Sequence, residues 1–122
     1  MRRYNKIQGK TKAKCITTSN MKDCTHTDYM VNFASYASKS PEIIDNSGLM
    51  LLRLLMSIGV KEVAVAGMDG YSTYQSKDYF DKKLEYDFSK EAEFRNTLIS
   101  EELKELRKSM KIRFITPSYY CL

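Results

Sequence analysis

The sequence predicts an α/β fold, a small three-layer Rossmann-like domain whose mostly parallel sheet of about four strands is flanked by helices. Two stretches carry this prediction. Residues 45–72 read as a capped buried helix, a glycine turn, an apolar strand and a polar loop, and residues 89–116 read as an amphipathic helix followed by a strand. Because parallel strands need a crossover connection, this alternation predicts right-handed parallel crossovers in the second half of the chain.

The first third of the chain contains two shorter strand candidates. Residues 13–18 alternate loosely in hydropathy, residues 19–27 form a loop rich in Asn, Asp, Ser and Thr, and residues 29–35 form the second strand. The following connection, residues 36–45, contains Pro41 and has room for a short turn of helix.

A buried helix is predicted over residues 49–58. Its start is marked by three good N-cap residues, Asp45, Asn46 and Ser47. Apolar residues occur almost all round this helix, so we expect it to be covered on more than one side. Gly59 then lies where a helix C-cap glycine belongs, since glycine enters the left-handed conformation at low cost.

The second half continues with a strand, an irregular segment, a long helix and a final strand. Residues 60–66 are a short apolar run, typical of a parallel strand buried on both faces. Residues 71–88 are irregular and rich in aromatics, and they are either functional or a flap held over the core. Ser89 then caps a helix that covers one face of a sheet, and residues 112–116, ended by Pro117, form the last strand. The apolar stripe predicted for that helix is Phe94, Leu98, Leu103, Leu106 and Met110.

Composition excludes several classes of protein. The 122 residues are enough for one domain, and 43% hydrophobic with 29% charged residues is typical of a globular protein. We therefore expect a single domain over residues 13–122, preceded by a basic, flexible segment over residues 1–12. Much of the net charge of +5 lies within residues 1–14, and no RNA-binding signature accompanies it, so a nucleic-acid partner is not expected.

The cysteines, the histidine and the hydropathy pattern exclude further classes. Three cysteines without CxxC spacing predict neither a disulfide framework nor a zinc site, and they favour a reducing cytoplasm. His26 is the single histidine and lies in a polar loop, so no metal site is predicted. No apolar run reaches the roughly 18 residues of a membrane span, and the first residues do not form a signal-peptide core.

Small and polar residues cluster at the start of the buried helix and at the end of the apolar strand. A helix start presents free backbone N–H groups, which suit a phosphate or a carboxylate. Asp69 lies where ligands bind in open α/β sheets, and it is suited to bind a ribose hydroxyl, position a sugar or act as a base. The predicted ligand-binding residues are Asn32, Ser35, Asp45, Asn46, Ser47, Gly48, Gly67, Asp69, Gly70, Tyr71 and Ser72.

A purely structural interpretation competes with this one. The same residues describe a capped helix and a glycine turn in which Asp69 bonds to local N–H groups. Their spacing is neither GxGxxG nor a Walker loop, so it predicts no dinucleotide or ATP site. Because the sequence contains no complete catalytic constellation, we predict no catalytic residue and no cofactor other than a nucleotide-type ligand. The nine tyrosines either close the edge of the core or contact a sugar, a base or a partner chain.

Four motifs spread over residues 32–72 and 84–120 resemble a known family. They are NFASY, DNSGLMLLRLL, GVKEVAVAGMDGYS and a tail that ends in IRFITPSYY. They resemble the C-terminal domain of bacterial proteins named as 4-hydroxy-2-oxovalerate aldolase-like, in which an HMGL-like, pyruvate-lyase-type (β/α)8 barrel comes first. The barrel, with its metal-binding histidines and Asp-Arg-Glu signature, is not in this sequence. The resemblance therefore implies a domain excised from a longer protein and carries no aldol chemistry to any residue.

A second, more local resemblance is to the bacterial sialyltransferases that act on lipooligosaccharide. The similar positions are Ser47–Gly48, Gly59–Glu62, Gly67–Asp69, Lys111–Ile112 and Pro117. That family has a nucleotide-binding α/β fold and uses CMP-sialic acid, with a catalytic histidine after the Gly-x-Asp strand. No histidine follows His26 in this chain. The resemblance therefore implies the fold and a sugar-nucleotide pocket, but not the transferase activity.

These observations together predict a non-catalytic accessory domain of an aldolase-like lyase, linked to surface polysaccharide biosynthesis in the bacterial cytoplasm. It would bind a small anionic or sugar-nucleotide ligand, or a partner protein such as the absent barrel. One alternative is a minimal glycosyltransferase that uses a CMP-sugar, with Asp69 as the base. Another is a homo-oligomerisation domain whose exposed tyrosines form a dimer. A membrane partner is not expected.

Overall fold

A computed structural model describes residues 12–21, 26–71 and 82–120 of the chain. The chain forms two compact units, Met1–Ala37 and Ser38–Leu122. The expected flexible segment over residues 1–12 lies, except for its last residue, outside the described residues. In chain order the elements are β1 Ile16–Thr18, β2 Tyr29–Val31, α1 Phe33–Tyr36, a 3-10 helix Pro41–Ile43, α2 Ser47–Ser57, β3 Glu62–Val65, α3 Lys82–Leu106 and β4 Lys111–Phe114.

The first unit contains a short parallel strand pair. β1 and β2 are paired with Ile16 opposite Tyr29. The Asp28 carboxylate accepts the Cys15 N–H at 2.7 Å, and this bond lowers the pKa of Asp28 below its usual value. Cys15 carries a free thiol.

The second predicted strand is wrong beyond Val31, because the chain turns into the short helix α1 there. Asn32 causes this change by a local hydrogen bond. Its side-chain oxygen accepts the Ala34 N–H at 2.9 Å, which caps the helix and offers the backbone an alternative to a strand ladder.

The second unit is built on another parallel pair. β3 pairs with β4 with Val63 opposite Ile112, and α3 lies between them in sequence. The predicted α/β class and the parallel crossover of the second half are therefore confirmed. Among the described residues, however, the four strands form two two-stranded sheets.

Helix α2 is present as predicted, but it begins two residues earlier and ends one residue earlier than the predicted range 49–58. The Asn46 side chain accepts the Leu49 N–H at 3.0 Å, so Asn46 is the N-cap among the three candidates. Gly59 follows the helix with a φ of 92°, the left-handed conformation expected of a C-cap glycine. The short turn predicted between residues 36 and 45 is present as the 3-10 helix.

Helix α3 begins earlier than predicted. It starts at Lys82, so Ser89 lies inside the helix and is not its cap, and the irregular segment ends before residue 82. Residues 82–85 read Lys-Lys-Leu-Glu, which are all good helix formers, and the helix that they begin continues through a serine that is only mildly unfavourable. Residues 72–81 lie outside the described residues.

The buried face of α3 also differs from the predicted stripe in one position. Phe94 is 50% exposed, whereas Ala92, Ile99 and Leu103 are buried. At roughly 100° per residue, Phe94 points roughly 200° away from Ala92, so it cannot share the packed face. The core that results joins Ile43, Leu49, Leu52, Ile99, Leu103, Leu106, Met110, Ile112 and Tyr120.

A polar cluster joins the helices beside this core. Glu102 of α3 accepts hydrogen bonds from Arg53 of α2 and from the buried hydroxyl of Ser38. The Arg53 and Glu102 side chains are only 21% and 22% exposed, so their charges are largely removed from water and held together. The cluster fixes α2 against α3. No helix among the described residues combines the length and the apolar character that crossing a membrane requires.

Candidate functional site

A groove of about 820 Å³ runs between α2 and β3 in the second unit. This volume is in the range of small-molecule sites. We call it the α2–β3 groove. Its lining residues are Asp45, Asn46, Ser47, Gly48, Leu51, Leu52, Leu55, Val63, Ala64, Val65, Ala66, Gly67, Met68, Asp69, Gly70, Tyr71 and Tyr120.

The start of α2 meets the end of β3 at one end of the groove. A Cβ on Gly48 would lie 3.0 Å from the Met68 Sδ and Cε atoms, so the glycine lets the end of the Met68 side chain pack directly against the start of the helix. The Leu49 N–H is taken by the Asn46 cap, but those of Ser47 and Gly48 have no hydrogen-bond partner among the described residues. We call this end, formed by residues 45–48, 67–71 and Tyr120, the polar end.

The loop after β3 is held by the loop after β4. The Gly67 N–H donates to Thr116 Oγ1 at 2.8 Å, and Ser118 Oγ donates to the Met68 carbonyl at 2.9 Å. The Tyr119 N–H donates to the Asp69 carbonyl at 2.6 Å. These bonds fix the path of the loop, and none of them involves the Asp69 side chain.

Tyr71 is fixed by α3. Its N–H donates to Asn96 Oδ1 at 2.8 Å, and its carbonyl accepts from Asn96 Nδ2 at 2.7 Å. The Arg95 guanidinium lies 5.3 Å from the centre of the Tyr71 ring, within the range of a cation–π contact. Asn96 is only 8% exposed. Its side chain bonds both backbone polar groups of Tyr71, as a neighbouring strand would, and so holds the aromatic ring at the rim.

Tyr120 closes the polar end from the side of β4. It is 6% exposed, and its ring packs edge-on against Phe114 at 6.5 Å between ring centres. Burial raises the pKa of the Tyr120 phenol, and nearby Tyr71 and Asp69 raise it further. A hydrogen bond with the Asn46 side chain acts in the opposite direction and lowers this pKa. The phenol therefore stays protonated at neutral pH as a hydrogen-bond donor.

The apolar part of the groove follows one edge of β3. The backbone N–H of Lys111 donates to the Lys61 carbonyl, and that of Ile115 donates to the Val65 carbonyl. The backbone N–H and C=O groups of the odd-numbered residues of β3 therefore point towards β4. The N–H and C=O groups of Ala64 consequently point to the opposite edge, which lines the groove. Ala64 is exposed, and Leu51 on the facing helix is 50% exposed. The expected burial of α2 and β3 on more than one side is therefore not found in the described residues.

The structure brings together most of the residues predicted to form a site. Asp45, Asn46, Ser47, Gly48, Gly67, Asp69, Gly70 and Tyr71 all line the α2–β3 groove. Asn32 and Ser35 lie in the first unit, where Asn32 caps α1, and their assignment to a ligand site stays a prediction. Ser72 lies outside the described residues.

The structural interpretation of Asp69 requires a bond between its carboxylate and local N–H groups. Among the described residues this carboxylate accepts no hydrogen bond, whereas its own backbone carbonyl is bonded. The helix cap, by contrast, is present as that interpretation expects. The polar end thus combines a structural cap with an exposed carboxylate that the described fold does not use.

Three residues that form or support the polar end were not among the site residues predicted from the sequence. Tyr120 and Met68 line the polar end, and Asn96 positions Tyr71 from α3. A signal for Tyr120 was available, since Pro117 ends the last strand and turns the chain at the edge where ligands bind. Nothing local marks Asn96, because its role depends on packing across 25 residues of sequence.

The described residues contain no group of three or more His, Cys, Asp or Glu side chains that could hold a metal ion. Comparisons of the chain with models of protein families, with curated proteins and with solved structures find no match.

Proposed function

We propose that this chain is a ligand-binding domain whose polar end takes a small ligand of the nucleotide or sugar-nucleotide class. One observation carries the proposal. The start of α2 and the glycine-containing end of β3 converge on a groove of about 820 Å³, with the Asp69 carboxylate exposed between them. Free N–H groups at a helix start suit a phosphate, and a carboxylate at a strand end suits a ribose or sugar hydroxyl.

The remaining parts of the proposal rest on the sequence motifs. We propose that the domain accompanies an aldolase-like barrel in surface polysaccharide biosynthesis and is not itself catalytic. The glycosyltransferase and homo-oligomer alternatives stay predictions. Turnover of a CMP-sugar by this chain alone would establish the glycosyltransferase. A dimer that is lost when Tyr119 is replaced would establish the homo-oligomerisation domain.

A thermal-shift screen with CMP, UDP, GDP and their sugar conjugates tests the binding site. A ligand at about 100 times its dissociation constant adds about 2.7 kcal/mol to the free energy of unfolding. For a domain of this size the melting temperature should rise by at least about 5 °C. Asp69→Ala should abolish the rise and leave the unliganded melting temperature unchanged, because the described fold does not use that carboxylate.

Glu105→Gln is the matched control for the loss of one negative charge. Glu105 is 72% exposed near the end of α3 and does not line the groove. This variant should keep the full thermal shift. A shift that survives Asp69→Ala, or no shift with any of the nucleotides, would contradict the proposal.

We also propose that the four strands belong to one Rossmann-like sheet with helices on both faces, in which another strand takes the apolar part of the groove along β3 and leaves the polar end open. Among the described residues, one edge of β3 has no partner strand and the apolar wall beside it is exposed. Both observations support this proposal, since a parallel sheet is normally covered on both sides. Amide hydrogen exchange of Ala64 in the unliganded protein is the test. Strong protection is expected if another strand covers that edge, and exchange at the rate of an unstructured peptide would refute the single sheet.

A further inference from the structure

Five basic side chains lie together where β3 and β4 begin. The turn before β3 and the turn before β4 are neighbours, because the Lys111 N–H donates to the Lys61 carbonyl at 2.8 Å. All five side chains are exposed. We call this surface the basic end, and its residues are Lys61, Arg107, Lys108, Lys111 and Arg113.

The charges of the basic end are not balanced locally, although residues 38–122 contain thirteen basic and thirteen acidic residues in all. Two of the five cations have a carboxylate beside them. Lys108 pairs with Glu105 at 2.9 Å, and Lys111 pairs with Glu62 at 3.7 Å. The other three form no ion pair with any described residue. Like charges at short range repel, so this surface favours an external partner of negative charge.

Helix dipoles account for only part of this excess. Cations are favourable at the end of a helix, and Arg107 and Lys108 directly follow α3. Lys111 and Arg113, however, lie in β4, and Lys61 directly precedes β3. The last turn of α2 contains no basic residue. Three cations of the basic end therefore lie outside the last turn of a helix.

The carboxylates of the polar end are too far away to neutralise these cations. β4 has four residues, which at about 3.3 Å per residue separate its two ends by about 10 Å. Asp69 lies beyond the end of the strand pair, so its distance from Lys111 is larger still. Charges separated by more than the Debye length of about 8 Å at physiological ionic strength are largely screened from each other. The basic end therefore presents its positive charge to solvent.

We expect a partner to contact the basic end through side chains, because the adjacent edge of β4 is occupied. The Arg107 guanidinium donates to the Ile112 carbonyl at 2.8 Å, on the side of β4 that faces away from β3. An added strand would need this carbonyl for its own hydrogen bonds. The same bond holds Arg107 in place beside a hollow of about 460 Å³, which residues 107–112 line.

One exposed apolar residue indicates the class of partner. Ile58 ends α2 three residues before Lys61 and is 68% exposed. The phosphates of a nucleic acid would engage the cations and leave Ile58 exposed. Membrane surfaces are held by large apolar faces, which a single isoleucine does not supply. A protein segment that combines carboxylates with an apolar side chain can use both the cations and Ile58.

We propose that the basic end binds an acidic segment of a partner protein. Carboxylates of that segment pair with Lys61, Lys111 and Arg113, and an apolar side chain beside them packs on Ile58. This surface shares no residue with the lining of the α2–β3 groove, so the inference does not depend on the proposed ligand.

The test is fluorescence anisotropy of the full chain with a labelled glutamate peptide that carries one central leucine. We expect saturable binding that is weakened by at least about tenfold at about 0.5 M salt, since exposed ion pairs are screened. The double variant Lys61→Gln/Arg113→Gln should bind the peptide at least about fivefold more weakly. The control Lys12→Gln/Lys39→Gln also removes two exposed cations, and it should change the affinity by less than about twofold.

A second peptide, in which serine replaces the leucine, isolates the apolar contact. Ile58→Ala should weaken binding of the leucine peptide by about fivefold and leave that of the serine peptide unchanged. Ile44→Ala, at an isoleucine that is 41% exposed before α2, should change neither. Absence of saturable binding, equal losses in the two double variants, or an equal effect of Ile58→Ala on both peptides would overturn the inference. Tighter binding of a DNA duplex or of phosphatidylserine vesicles than of the leucine peptide would also overturn it.

Discussion

Gly70 offers the sharpest test of how the polar end is built. It has a φ of 92°, and a Cβ at this position would lie 3.1 Å from Asn96 Oδ1, Tyr119 Cβ and Tyr120 Cε1. Two costs follow for Gly70→Ala. The left-handed backbone costs an L-residue about 1–2 kcal/mol, and forcing an extra methyl group into a packed site adds about 1–3 kcal/mol. We expect a total loss of about 2–5 kcal/mol in the free energy of unfolding.

The second glycine with the same backbone conformation separates these two costs. Gly59 also has a φ of 92°, but a Cβ there would meet nothing within 4 Å. Gly59→Ala should therefore lose only the backbone term of about 1–2 kcal/mol. Urea unfolding of both variants, followed by circular dichroism, measures the difference. Equal losses would refute the crowding around Gly70, and with it the described contact between the loop after β3 and α3.

Three further outcomes follow from the packing and the charges. Asn96→Asp replaces the donor to the Tyr71 carbonyl with an acceptor, so urea unfolding at pH 7 should show a loss of about 1–3 kcal/mol, and an unchanged midpoint would disprove the two-bond clamp. Leu103→Ala removes a fully buried side chain and should lose about 2–5 kcal/mol. Ile58→Ala, at a side chain that is 68% exposed, should change the same free energy by less than about 1 kcal/mol, and similar losses for both would contradict the core assignment. The lowered pKa of Asp28 means that its bond stabilises the first unit above the usual carboxyl pKa of 3.8 and that this stability is lost as the pH falls through the folded-state value. An NMR titration of Asp28 should show a folded-state pKa below 3.8, and a value at or above 3.8 would exclude this bond in solution.

Local sequence signals were sufficient for much of the second unit. The cap at Asn46, the glycine at 59 and the β-branched run that contains β3 are determined by neighbouring residues, and the structure reproduces them. The convergence of the helix start and the strand end also follows from the short connection between α2 and β3. This is why most of the predicted site residues line one groove.

The signals failed where competing local bonds or distant contacts decide the structure. Asn32 diverts the second strand into α1 through a bond that strand propensity does not include. Ser89 is a good cap by composition, yet the favourable residues before it extend α3 past that position. Asn96 bonds the backbone of Tyr71 only once α3 has packed against the loop, so no local sequence pattern predicts this bond.

The most direct test of the central claim is an amide NMR titration of the full chain with CMP, UMP, AMP and GMP in turn. The glycines report on the site, because Gly48, Gly67 and Gly70 line the polar end and Gly59 does not. A ligand bound between the start of α2 and the end of β3 should shift the first three amides in a saturable manner and leave Gly59 unchanged. Saturable shifts confined to other residues, or no shifts with any of the four nucleotides, would contradict a nucleotide-type site in the α2–β3 groove.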